Sequence, residues 1–154
     1  DASGRWPLAH GEEDMASVQI AFYKGRSKLF NRAVSWWTSS QYSHCELVVD
    51  GWCYSSSVMD KGVRRKLIDM DSGHWDLIEL PWADAEFVRD YFDKTDHLGY
   101  GWGALVTSQF LNLGIGYADS QFCSEWCANA LQIPNASAYS PQTLLELCEF
   151  INGL

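Results

Sequence analysis

His44 and Cys123 are the residues of this chain whose types and settings can do chemistry together. A thiol becomes a strong nucleophile as the thiolate, and its pKa falls beside an imidazolium or at the positive end of a helix. His44 stands in a β-prone run, SHCELVVDG, and Cys123 opens CSEWCANAL, which reads as a helix over 123–131. If the two runs meet, His44 is a general base and Cys123 a nucleophile for attack on a carbonyl. Backbone N–H groups at the helix start would then steady the oxyanion. Ser120, Gln121, Ser124 and Glu125 around the thiol read as an accessible element end, with Ser124 a cleft residue beside it. The bland reading stands next to this one: a cysteine in an apolar helix more often packs than reacts. That reading suits Cys127, which shares a face with Ala130 and Leu131, and Cys148 on the apolar face of the last helix.

The histidine needs a third group to orient it, and the neighbouring turn supplies candidates. Two β-prone runs flank Asp50-Gly51, a strong hairpin signal. With those residues at the turn centre, Val49 faces Trp52, Glu46 faces Ser55 and His44 faces Ser57. Side chains two apart share a face. His44, Glu46, Ser55 and Ser57 therefore belong on one side, with Cys53 nearer the turn and Cys45 pointing away. Glu46 is the preferred orienter; Ser57 and Ser55 are the alternatives.

Other elements must hold these runs. Val18, Ile20 and Phe22 alternate with Gln19, Ala21 and Tyr23 as a strand. Ser27 could cap a helix to about Ser39, with Leu29, Phe30, Ala33, Val34 and Trp37 inward. Gly62 marks a turn, and Arg64-Arg65-Lys66 reads as a solvated face or, less commonly, a contact for an anionic substrate. His74 to Leu80 is a strand, and 83–95 a helix carrying Phe87, Val88, Tyr91 and Phe92. Residues 99–113 are apolar but glycine-rich, a weaker helix signal, and Gly114 to Ser120 reads as a loop. The last helix has Ser140 as N-cap, Pro141 at N1, and Leu144, Leu145, Cys148 and Ile151 inward, with Gly153 after it.

Length and composition bound the rest. The 154 residues suit one domain, read as 15–154. Residues 1–14 are polar and aperiodic, and read as a leader or arm before Met15 that could meet an assembly partner. A net charge of -9 argues against nucleic acid and anionic membrane surfaces. No stretch approaches about 20 consecutive apolar residues, so no transmembrane segment is expected, and no secretory leader is visible. Five cysteines at irregular spacing make a poor disulfide framework, which points to a reducing compartment or a virion. Cys-x3-Cys within a helix is poor zinc spacing, so no metal and no cofactor are expected.

The runs YSHCELVVDG, CYSSSVMDKGVRRK, HWDLIELP and FCSEWCANAL together resemble the circularly permuted branch of the papain-like NlpC/P60 superfamily, in its small bacterial and phage-encoded members. The likeness covers about residues 18–145, and in that branch the histidine strand precedes the cysteine helix. The resemblance implies an α+β fold, a small mainly antiparallel sheet packed with helices. It matches Cys123 to the nucleophile and His44 to the base. Several permuted relatives carry a polar group on the strand after the histidine; this chain has Ser55–Ser57 there, so Glu46 is expected to take that role. The implied reaction is acyl transfer through a thioester, on amide or peptide bonds of peptidoglycan. Related permuted enzymes act as thioesterases, lipases or acyltransferases on lipid or acyl substrates, a reading the negative charge disfavours. A third class is a non-catalytic virion or structural module that keeps the fold, in which Cys123 would be buried or its sulfur would lie beyond reach of His44.

Overall fold

The Asp50-Gly51 turn organises the sheet. Both residues adopt positive φ, 50° and 78°, the left-handed pair that a two-residue hairpin turn needs. A computed structural model of the chain describes residues 16–24, 41–57, 60–96 and 115–154. The turn joins β2 (His44–Val49) to β3 (Trp52–Ser57). Val49 lies across from Trp52, as the turn signal requires, and Leu47 across from Tyr54.

Three more strands extend this hairpin: β1 (Val18–Tyr23), β4 (Gly62–Lys66) and β5 (Trp75–Glu79). The order is β4-β3-β2-β1-β5, and every pairing is antiparallel. Helix α1 spans Ala85–Asp96, α2 spans Ile115–Ala130 and α3 spans Pro141–Asn152, with a 3-10 turn at Ala136–Ala138 before the last. The class is α+β, as the sequence reading expects. No helix among the described residues is long and apolar enough to cross a membrane. The helices read over 27–39 and 99–113, and the arm 1–14, lie outside the described residues.

Alternation along the strands creates two unequal faces. On one, Ile20, Phe22, Cys45, Leu47, Val49 and Tyr54 join the main core with Trp126, Cys127, Leu144 and Cys148 of the helices. Helix α2 crosses β2 and β3 there. Trp126 is fully buried, and its indole N–H donates to Thr95 Oγ1 at 3.0 Å, tying α2 to α1. The other face holds a small cluster, Ala21, Val48 and Cys53, against Ile68, Met70 and Trp75.

Two elements depart from the sequence reading. Gly62–Lys66, read as a turn and a solvated basic face, is a strand paired from Cys53–Lys66 to Ser57–Gly62, in which Arg65 and Lys66 are exposed as that reading expects and Arg64 is not. Residues 115–120, read as loop, are the first turns of α2.

The start of α3 is fixed by side chains. Ser140 Oγ accepts the Thr143 N–H at 3.2 Å, and Thr143 Oγ1 accepts the Ser140 N–H at 2.9 Å. Each satisfies a donor that the helix end would otherwise leave orphaned. Pro141 at the first helical position forfeits no bond. Ser140→Ala should therefore cost about 1 kcal/mol, read as a lower urea midpoint with an unchanged slope.

Candidate functional site

The site grows from a row of residues that crosses the sheet. Ala21 on β1 lies across from Glu46 on β2, and Ser55 on β3 lies across from Arg64 on β4. Continuing the hairpin register sets Glu46 across from Ser55. Glu46 thus has two small residues as lateral neighbours, which leaves room for a carboxylate that is 0% exposed. Arg64 stands two strands away, roughly 10 Å by ordinary strand spacing, and its long side chain reaches over Ser55. Its Nη1 donates to Glu46 Oε2 at 2.6 Å, and its Nη2 donates to Oε1. Its Nε donates to Asp60 Oδ2 at 2.8 Å, an oxygen that also receives Lys66 Nζ at 3.0 Å.

His44 is one row along on the same face. Its Nε2 lies 2.7 Å from Glu46 Oε1. Arg64 Nη2 is 3.4 Å from that nitrogen, so guanidinium and imidazole converge on one carboxylate oxygen. The Cys123 thiol is near enough to the ring to act on its charge state, both electrostatically and as a hydrogen-bond partner. The entry to β2 is pinned beside it: Tyr42 donates to Asp76 Oδ2 at 2.6 Å, Lys24 reaches Asp76 Oδ1 at 2.5 Å, and the Tyr42 ring packs on Phe22 at 5.6 Å. The Trp75 ring stands edge-on to His44 at 6.5 Å.

Burial and charge act against each other here. Burial alone would push the His44 pKa down, but the charge and hydrogen bond of Cys123, then those of Glu46, hold it well above the usual value. Burial would likewise raise Glu46, yet the hydrogen bonds and charges of Arg64 and His44 bring it below the ordinary carboxylate range. Burial pushes the Cys45 thiol well up, and its neighbours Cys123 and Cys127 push it further.

The structure brings His44, Glu46 and Cys123 together and gives Ser55 and Ser124 other tasks. Ser55 Oγ donates to the Cys45 carbonyl at 2.7 Å. Ser124 Oγ donates to the Tyr139 carbonyl at 2.6 Å, tying α2 to the segment before α3. Ser57 is buried at the end of β3, across from Gly62.

Three expectations are corrected. Cys123 does not begin a helix: α2 starts at Ile115, about two turns earlier, beyond the reach of the terminal dipole. Its own N–H therefore lies inside the helix, where such groups bond the preceding turn, so the expected helix-start oxyanion donors are not at the thiol. Cys123 is not at an accessible end either, being 0% exposed, whereas the His44 side chain keeps 14% of its surface open. Finally, Arg64 is not a solvated cation. What sequence reasoning missed was this residue; the available signal was its count across a strand following the Gly62 turn, on the face that carries Ser55. Arg65, pointing the other way, lies over the Trp52 ring at 4.8 Å.

Neither a protein-family model, nor a curated protein, nor a solved structure matches this chain.

Glu46 is depressed in the fold, so its stabilising contribution is complete above its unfolded pKa and is lost as pH falls through its folded one. Glu46→Gln should cost about 3 kcal/mol at neutral pH, because it leaves a buried cation under-compensated. The deficit against the parent should narrow below pH about 4.3. Urea unfolding of both proteins at neutral pH and at acid pH reads this difference.

Proposed function

We propose that the protein is a cysteine hydrolase in which Cys123 is the nucleophile, His44 the general base and Glu46 the group that orients His44, within a permuted papain-like NlpC/P60 fold. The observation that carries this reading is one imidazole that meets a carboxylate at 2.7 Å and whose charge a neighbouring thiol also supports. Nε2 serves Glu46, and in this reading Nδ1, a buried atom, is the nitrogen that takes the thiol proton. The thiol proton passes to His44, and the thiolate attacks a carbonyl carbon. The C–N bond breaks as the imidazolium returns the proton to the leaving amine, and a thioester remains. Water then attacks the thioester with His44 accepting its proton, which releases the acid and restores the thiol. Peptide or amide bonds of peptidoglycan are the substrate class we propose. The sequence runs that resemble the family support this class of chemistry, and the net charge of -9 favours a peptide substrate over a lipid or acyl one.

The burial of Cys123 favours a second reading, a structural module that keeps the site without using it. In the first reading the surroundings of the sulfur must open for a carbonyl to approach.

Iodoacetamide separates the two near neutral pH, with the adduct mapped by mass spectrometry. The enzyme reading expects preferential alkylation at Cys123 that is lost in His44→Ala. Equal labelling of several cysteines, or none at Cys123, supports the inert module. On peptidoglycan fragments, Cys123→Ser should abolish turnover, and His44→Ala should lower kcat/KM by about 10²–10⁴-fold. Glu46→Gln should cost less than His44→Ala. A larger loss in Ser57→Ala than in Glu46→Gln would move the orienting role to the serine.

A further inference from the structure

We propose that Arg64 is a positioning residue for the His44–Cys123 pair: its guanidinium keeps Glu46 ionised and in one orientation, so that Glu46 fixes which nitrogen of His44 faces the thiol. This inference rests on the reading of Cys123 and His44 given above.

The first argument concerns hydrogen-bond direction. A carboxylate with no solvent exposure gains a proton readily unless it is paired. A protonated Glu46 could donate to Nε2, and His44 would then carry its hydrogen on Nδ1, the wrong tautomer for accepting a thiol proton there. Arg64 removes that option. It donates to both carboxylate oxygens, so Glu46 acts as acceptor and Nε2 carries the hydrogen. Nδ1 is then left with its lone pair, ready to take the thiol proton. The planar fork suits this task because it binds the carboxylate through two parallel bonds and sets its plane.

The second argument concerns charge. Lys66, Asp60, Arg64 and Glu46 alternate in sign along one chain of contacts. An imidazolium and a thiolate continue the alternation and leave the row neutral. Around Glu46 and His44, β1 presents Ala21 and Tyr23, and β3 presents Ser55 and the Cys53 thiol. Strand β5 presents Trp75 and α2 presents Cys123. Arg64, with Asp60 and Lys66 behind it, is thus the cation that balances Glu46 besides His44 itself among the described residues. Without Arg64, either Glu46 stays charged and the buried row gains a net negative charge, or it protonates and ceases to support the imidazolium. Both outcomes disfavour the thiolate, so they shift its formation in the same direction.

The experiment measures the pH midpoint of Cys123 alkylation by iodoacetamide on the full chain, with circular dichroism as the check of folding. Arg64→Gln should raise the midpoint by about one unit. Arg64→Lys, which keeps the charge but loses the fork, should raise it less, and Asp60→Asn should raise it slightly. In a Glu46→Gln background, Arg64→Gln should add no further shift, because Arg64 acts through Glu46; a merely structural residue would add its effect in both backgrounds. If Arg64→Gln does not fold, Arg64→Lys and Asp60→Asn carry the same comparison. An unmoved midpoint in the folded variants, or an equal shift in both backgrounds, overturns the inference. A midpoint that His44→Ala also leaves in place would instead overturn the pairing of His44 with Cys123.

Discussion

A buried carboxylate held by a guanidinium is the constraint from which the site follows. Glu46 has no contact with solvent, so its charge has to be met inside the protein. Arg64 meets it from two strands away, and the meeting requires three things at once: a sheet order that puts β4 beside β3, a register that aligns Arg64 with Ser55, and a side chain at 55 short enough to reach over. Shifting β4 by one residue would send Arg64 to the opposite face and bring Arg65 or Val63 in its place. The register of an edge strand and the chemistry beside His44 are therefore coupled.

Burial of the sulfur sets the second condition on function. Cys123 shares the core with Cys45 and Cys127, and all three are sealed. The imidazole, partly open, meets the carboxylate row on the other face of the sheet, while the Cys123 thiol that acts on it belongs to that core. His44 occupies the first position of β2, where the strand begins and one ring can meet both groups. The anchor at Tyr42 and Asp76 matters for this reason, since it fixes where β2 enters the sheet.

Much of this arrangement was legible in local patterns. The Asp50-Gly51 dipeptide dictates a turn of known hand, and period two then places His44 and Glu46 on one face. The Ser140-Pro141 pair dictates the start of α3. The edge strand was hidden because GVRRK shows no apolar alternation, and three successive basic residues look like solvent-facing surface. The partner of Arg64 lies 18 positions away across an intervening strand, a non-local match that no short-range signal reports. The early start of α2 was hidden for a related reason. Gly116 weakens helix propensity, while Asp119 and Ser120 are residue types that favour a helix start, so the run looks like an N-terminus just before the cysteine. Continuity of the helix overrides those preferences and carries Cys123 into the interior.

Strand β4 has one more consequence, at the outer boundary of the sheet. Among the described residues no strand pairs with its far side, the kind of rim along which sheets of separate molecules can join. Of its three cations Arg64 is taken up by Glu46 and Asp60, while Arg65 and Lys66 stand exposed along it. Two such rims approaching in register would bring like charges together, so the strand that clamps Glu46 also discourages copies of the protein from stacking edge to edge.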